Sequence, residues 1–246
     1  MNKVFFIKSS LVAALSLSFC TLMPVTAGTQ LNSEVTVVES KTLLRAKLAD
    51  LKFFSANFTQ KVISETGELL EESSGKLALS KPNLANWHTL EPDELAIVSD
   101  GSDVWFYNPW IEQVSVYSLS AAIAKTPILL LISKDESLWQ QYTVVQESSA
   151  LDTQKPSNIE QQNERFVISS IDPNSQIKNL TLVFSAKEQK DGKQRSSQLS
   201  QFSFLDATGQ VSHIKLSSFD DQTVPDESLF KFTLPAEVQI DDQRVN

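Results

Sequence analysis

The chain has 246 residues, with 21 Lys and Arg against 30 Asp and Glu and a net charge of −9. A surface that acidic repels phosphate backbones and anionic bilayers, which argues against nucleic-acid binding and against standing electrostatic adhesion to a membrane. The single cysteine, Cys20, lies close to the N-terminus, so the rest of the chain holds neither a disulfide nor a thiolate metal site.

Residues 1–10 carry Lys3 and Lys8 and no acid, Leu11 to Met23 is apolar or small-polar, and Pro24-Val25-Thr26-Ala27 comes next. A basic start, a short apolar stretch and a V-x-A site are the three parts of a secretory signal. A membrane span needs roughly 20 apolar residues, and this stretch has 13. The expectation is a signal peptide over 1–27, cleaved after Ala27, and one soluble domain over 28–246. That domain has 219 residues, enough for one sizeable core. Losing Lys3 and Lys8 leaves 19 basic residues against 30 acidic, a net charge of −11. The alternative is that Cys20 is a lipid-attachment cysteine, with Leu17-Ser18 suitably placed before it. Against this, Phe19 stands where such signals carry Gly, Ala or Ser.

After a polar lead-in from Thr29 to Val38, Leu44, Leu48 and Leu51 recur at helical spacing, which predicts an amphipathic helix ending near Leu51. The period then becomes two. Phe54, Ala56 and Phe58 alternate with Ser55, Asn57 and Thr59, the pattern of a strand with one buried face. Short strands are predicted at Gly75–Ser80, Asn83–Leu90, Glu94–Ser99, Val104–Tyr107, Gln113–Tyr117 and Tyr142–Gln146. More are predicted at Arg165–Ser169, Leu180–Ala186, Gln198–Phe204, Gln210–Ser217 and Leu229–Thr233. Thr66-Gly67, Asp100-Gly101, Asp191-Gly192 and Thr208-Gly209 supply residues that accept positive φ at hairpin turns. The sum is a large antiparallel sheet, curled toward a barrel or folded as a sandwich. Residues 147–164 read as an exposed polar insertion.

One segment does not fit a sheet. From Leu119 to Trp139 helix formers lead to Thr126-Pro127 and then to Ile128-Leu129-Leu130-Leu131-Ile132. Five consecutive large aliphatics point to every side of a helix, so this helix must be covered all round. It is either a core helix lying across the sheet or a plug in a concave sheet that an apolar guest displaces.

Catalytic constellations are scarce. His88 and His213 stand 125 residues apart with no cysteine near them, which makes no zinc site. No G-x-S-x-G, P-loop, G-x-G-x-x-G or H-E-x-x-H occurs. Asp220-Asp221 and Asp241-Asp242 sit in turn or tail sequence. Nothing argues for an enzyme, and no cofactor is expected. Aromatic residues are denser: Trp87, Trp105, Phe106, Tyr107, Trp110 and Tyr117 fall within 31 residues. They suit a packed core or a cavity wall equally.

Three stretches carry a family resemblance: FFSANFTQKV from Phe53, KPNLANW from Lys81 and VSDGSDVWFYNP from Val98. Glu91 to Glu94, Glu112-Gln113, Thr126-Pro127, Trp139 to Tyr142 and Asp241 to Arg244 extend it. In this order they resemble the periplasmic outer-membrane lipoprotein carrier (LolA) family across the whole chain after the signal. The resemblance implies a mainly β fold with α: an unclosed, strongly curved antiparallel sheet, or half-barrel, with helices capping its concave apolar face. It implies a periplasmic chaperone that binds acyl chains of lipoproteins and carries them from an inner-membrane ABC release complex to an outer-membrane receptor, working as a monomer. A periplasmic lipid- or peptide-sensing regulator with the same fold is the alternative, though such sensors typically carry a second domain. A lipase-like hydrolase lacks its nucleophile motif.

The resemblance also assigns residues. The lid helix becomes Ser120–Ile132, with Ile123, Pro127, Ile128, Leu129, Leu130, Leu131 and Ile132 filling the cavity. Its acyl-chain wall becomes Phe54, Phe58, Leu77, Leu79, Trp87, Trp105 and Tyr107. Family members commonly place arginine before the Pro-Asn-Leu run to hold the lid through backbone carbonyls. Here Lys81 takes that place, keeping the charge but losing the planar five-donor fork. Ala85 stands where an aromatic is common.

Overall fold

The computed structural model of the chain describes residues 29–123, 125–133, 135–147, 163–186 and 197–244. The expected signal segment, the Asp191-Gly192 turn and residues 148–162 of the polar insertion lie outside the described residues. The chain enters through helix α1 (Thr29–Asp50), which starts well before the predicted amphipathic stretch. No Gly or Pro occurs between Thr29 and Lys52, so nothing stops the helix in the polar lead-in. Ser40, Leu44 and Leu48 form its buried stripe at i, i+4, i+8.

Twelve strands then form one sheet among the described residues. They are β1 (Phe53–Ile63), β2 (Leu69–Ser80), β3 (Leu84–Glu91), β4 (Leu95–Asp100), β5 (Asp103–Asn108) and β6 (Gln113–Ser118). After the capping elements come β7 (Tyr142–Glu147), β8 (Glu164–Ser170), β9 (Ile177–Ala186), β10 (Ser197–Asp206), β11 (Val211–Asp220) and β12 (Gln239–Asp242). The order is β12-β6-β5-β4-β3-β2-β1-β11-β10-β9-β8-β7, so β7 and β12 are edges and the sheet is unclosed. Two antiparallel meanders, β1 to β6 and β7 to β11, join through the β1–β11 ladder. Among the described residues, only the β12–β6 pair is parallel.

Two local irregularities aim side chains into the concave face. Opposite β1 the register slips between Ser55 and Asn57, where Ser218 takes a φ of 50°. An extra residue on one strand reverses the facing of the residues after it, and Phe219 stacks on Phe54 with centroids 4.8 Å apart. On β2, Gly75 pairs with Phe58 and leaves room for its ring. A Cβ there would stand 2.8 Å from that ring and 2.0 Å from the His88 carbonyl oxygen, so only glycine fits.

Two predicted elements are corrected. The single lid helix Ser120–Ile132 is α2 (Leu119–Ile123) followed by a separate 3₁₀ turn, Pro127–Leu131. Proline disfavours the helical conformation in the residue before it. Thr126 accordingly has φ −131° and ψ 77°, and its N–H closes α2 on the Ala122 carbonyl at 2.7 Å. Leu229–Thr233 is not a strand either. The Asp226 carboxylate accepts from the Ser228 N–H at 2.8 Å and starts a 3₁₀ turn, Glu227–Phe230. The sheet instead gains β12 from the acidic tail sequence.

Candidate functional site

The concave face is built from alternate residues of successive strands. Phe54, Ala56 and Phe58 of β1, Leu77 and Leu79 of β2, and Ala85 and Trp87 of β3 all belong to one buried cluster. Leu77 pairs directly with Trp87 across β2 and β3. The Trp87 ring lies 4.2 Å from Phe58 and 6.0 Å from Phe202 on β10, so it joins the two meanders. Its Nε1–H donates to the Thr89 hydroxyl at 3.1 Å, which satisfies the indole inside the apolar face. Ala85 is also buried here.

The lid turn fills this face. Ile128, Leu129, Leu130, Leu131 and Ile132 are each 4% exposed or less, and Ile123 of α2 is 2% exposed. A 3₁₀ turn has three residues per turn, so five aliphatics in a row reach all its sides, and the cluster covers every one. Helix α3 (Glu136–Gln140) comes next, capped by the Asp135 carboxylate, which accepts from the Ser137 N–H at 2.8 Å. Its Trp139 is buried in the same cluster.

The lid leaves part of the face open. A cavity of about 550 Å³ runs beside Ile128, walled by Trp87, Ile97, Phe106, Phe202 and Phe204 and rimmed by Glu71, Asp93, Glu94 and Lys125. That volume falls in the range of small-ligand sites, and its pattern of apolar walls with polar groups at the mouth suits an amphiphile. At the other end of the sheet a groove of about 540 Å³ lies between the end of α1 and β9 to β11. Lys47 and Lys52 line it, over a floor of Phe184, Leu199 and Phe219.

The β2–β3 turn carries the residue expected as the latch. Lys81 precedes a cis peptide bond to Pro82, and Asn83 adopts a φ of 65°. The Lys81 ammonium donates to the Leu48 carbonyl near the C-terminus of α1. It also lines a gap of about 280 Å³ that faces Leu131 and Ser133. A direct tie from this turn to the lid is the Asn83 backbone N–H, which donates to the Ile132 carbonyl at 3.3 Å. Beside it, the Asn83 side-chain oxygen is buried without a hydrogen-bond partner.

Trp105 and Tyr107 are not part of the concave wall. On β5, Val104 and Phe106 face the cavity side, Val104 fully buried and Phe106 packed against the core cluster. Trp105 and Tyr107 therefore point to the convex side, where their rings meet Phe232 at 5.3 and 5.9 Å. The C-terminal segment straps this side. Phe230 is buried, and the Leu229 carbonyl accepts from the Asn86 amide at 2.6 Å. With both faces of β5 covered, the run Val-Trp-Phe-Tyr shows no polar alternation by which to assign its faces. Phe202, Phe204 and Ile97 are cavity residues that the sequence did not single out, while Phe106 stood among the clustered aromatics that suited a core or a cavity wall equally. Phe202 and Phe204 sit two apart on a predicted strand, the one local signal that pointed to them.

Among the described residues no group of three or more His, Cys, Asp or Glu is placed to hold a metal ion. His88 instead contacts the Glu94 carboxylate at 2.9 Å. No helix among the described residues is long and apolar enough to cross a membrane.

An unclosed twelve-stranded sheet, with its own aliphatic turn packed into the concave side and an apolar cavity left beside that turn, defines a half-barrel built around an internal apolar site. The profile of the outer membrane lipoprotein carrier protein LolA matches residues 49–233, and the chain belongs to that family. An outer-membrane lipoprotein carrier protein from Psychromonas ingrahamii is 37% identical over 214 residues, covering 87% of this chain and 93% of its own. One from Shewanella sediminis is 38% identical over 206 residues, covering 83% and 86%. One from Shewanella pealeana is 34% identical over 245 residues, covering 100% and 98%.

Proposed function

We propose that this protein is a periplasmic chaperone that carries the acyl chains of outer-membrane lipoproteins in its concave face. The observation that carries this reading is the lid turn: five consecutive aliphatics buried in an unclosed sheet beside an open apolar cavity. Membership of the lipoprotein carrier family supports it. In this reading residues 1–27 are a cleaved export signal and 28–246 form the working domain, a monomer. The inner-membrane ABC release complex loads it, and an outer-membrane lipoprotein receptor unloads it. The task is transfer without covalent chemistry, so it calls for no catalytic group and no cofactor.

The energetics require a competitor for the guest. Burying acyl chain is worth about 0.8 kcal/mol per methylene. Three chains of roughly 16 carbons would exceed the ceiling of about 20 kcal/mol for non-covalent binding, and cargo would never leave. Cargo moves instead between apolar surroundings, from membrane to cavity to receptor, and most methylene contributions cancel. The lid supplies the rest of the balance. Five buried aliphatics at about 2 kcal/mol each are worth roughly 10 kcal/mol. One 16-carbon chain is worth about 12. For the one chain that takes its volume, the lid competes on nearly equal terms, so small differences set the direction of transfer. Driving the lid out at loading draws on ATP hydrolysis by the release complex.

The test is direct. Bis-ANS should bind the native mature protein at the concave face, and a triacylated lipoprotein should displace it stoichiometrically. Native protein that binds neither dye nor lipoprotein refutes the carrier reading. Mass spectrometry of material co-purified from periplasm identifies the cargo.

A further inference from the structure

The α1 face that looks toward α3 carries two cations one helical turn apart, Lys41 and Arg45, and both are spent on the same corner. The Lys41 ammonium donates to the Trp139 carbonyl at the C-terminal end of α3, and to the Tyr142 carbonyl at the start of β7 at 2.9 Å. Arg45 pairs with the Glu136 carboxylate at the first residue of α3. Its guanidinium carbon lies 6.0 Å from the centre of the Trp139 ring. Both ends of α3 and its buried indole are thus held from α1. The ammonium is partly withdrawn from water: burial, then the neighbouring Arg45, lowers the Lys41 pKa, and Glu136 opposes the shift.

This corner is mechanically joined to the lid. Residues 133–135 separate the cap of the lid turn, Ile132, from the start of α3. The gap between α1 and the lid is lined by Arg45, Leu48, Lys81, Leu131, Glu136 and Trp139, so the Arg45–Glu136 pair borders the space beside Leu131 and the Trp139 that Lys41 holds forms part of its wall. A lid turn that swings away from the sheet pulls on α3. That motion is resisted by whatever fixes α3 to α1. An ammonium shared between the Trp139 carbonyl at the end of α3 and the Tyr142 carbonyl at the start of β7 is a charge-assisted contact partly shielded from water, stronger than a neutral hydrogen bond.

We propose that Lys41 is a positioning residue for lid closure: it fastens the α3–β7 corner to α1, and lid opening requires this contact to break. Closure is then divided between two lysines. Lys81 grips the Leu48 carbonyl on α1 from the β2–β3 turn, and Lys41 passes that hold from α1 to α3. The inference rests on the carrier reading only in taking the lid turn as the piece that moves.

The experiment reads the lid without cargo. Native-state hydrogen exchange is measured on the mature protein as wild type, Lys41→Gln and Lys41→Arg, at the Leu129 and Ile132 amides. These donate within the lid turn to Thr126 and Leu129 at 3.0 and 3.3 Å. Lys41→Gln should speed their exchange at least about tenfold, because both charge-assisted bonds of the ammonium are lost, while the β1 and β10 amides keep their rates. Lys41→Arg should stay within about twofold of wild type. Lid amides at wild-type rates in a natively folded Lys41→Gln protein overturn the proposal. So does acceleration spread evenly over the whole sheet. Lys41→Met, which keeps the aliphatic stem, gives the same reading should the glutamine variant not fold. Because no guest is present, failure here is separate from failure of the dye and lipoprotein binding that tests the carrier itself.

Discussion

The indole of Trp105 stacks on the ring of Phe232 with centroids 5.3 Å apart and planes 14° from parallel, on the side of the sheet away from the lid. This contact fastens the C-terminal strap across β3 to β5, together with buried Phe230. Trp105→Ala should cost about 2–3 kcal/mol of stability, below the about 3–5 kcal/mol for a fully buried large aromatic, because the ring is partly exposed. It should leave the bis-ANS dissociation constant unchanged. Trp87→Ala, on the opposite face, should change both. Urea unfolding and dye titration of the two variants separate the faces; weakened dye binding in Trp105→Ala would contradict the convex placement.

Leu130 is 1% exposed and lies in the lid turn. Truncating a buried leucine costs about 2–5 kcal/mol. If lid and guest compete for one volume, that loss falls on the closed empty state and not on the filled one. Leu130→Ala should therefore lower the melting temperature yet bind bis-ANS about tenfold tighter or more. A variant that is destabilised but binds dye like wild type would show that the lid is a bystander.

Lys81 presents one ammonium to the Leu48 carbonyl at the position where the family resemblance implies an arginine fork. Arginine offers five donors in a plane and holds several acceptors at once. Lys81→Arg should tighten the closed state and slow hand-off of lipoprotein to the receptor. A transfer assay with labelled lipoprotein decides it, and an unchanged rate defeats the latch role.

Arg244 ties β12 to β5. Its guanidinium donates to the Asp103 carboxylate at 2.8 Å, and its side chain and backbone N–H hold Asp242. The side-chain bond from Arg244, then its backbone N–H, lower the Asp242 pKa from 3.8 to about 2. A depressed carboxylate contributes stability that is fully present above the unfolded value of 3.8 and lost as pH falls through the folded value of about 2. The β12 edge should stay paired with β6 at about pH 4 and fray toward about pH 2. An NMR titration of the Asp242 carboxyl should give a midpoint near 2, moved upward by Arg244→Gln. A wild-type midpoint near 3.8 would show that the clamp does not form.

Much of the architecture was legible in the residues. Phe54, Ala56 and Phe58 alternate with polar partners and face the core as that alternation requires. Gly67, Gly101 and Gly209 all adopt positive φ at hairpin turns. The aliphatic run from Ile128 to Ile132 had to be covered on every side, and it is. These properties are local: side-chain period, backbone freedom and the cost of wetting an aliphatic are set by a residue and its near neighbours.

Other features depend on segments far apart in the chain. Trp105 and Tyr107 face the convex side because a C-terminal strap, over a hundred residues later, covers them and makes both faces of β5 apolar. A period of two names two faces without saying which is concave. Gln239–Asp242 is a strand only because the β6 edge is free to pair with it. Lys41 is an ordinary helix lysine until folding brings the Trp139 and Tyr142 carbonyls to it, 98 and 101 residues away. Local pattern was enough for most of the strands, their turns and a fully buried aliphatic run. Which face is the cavity, and which carbonyls the Lys41 and Lys81 ammonium groups meet, were settled by folding, because both depend on long-range pairing that no local pattern encodes.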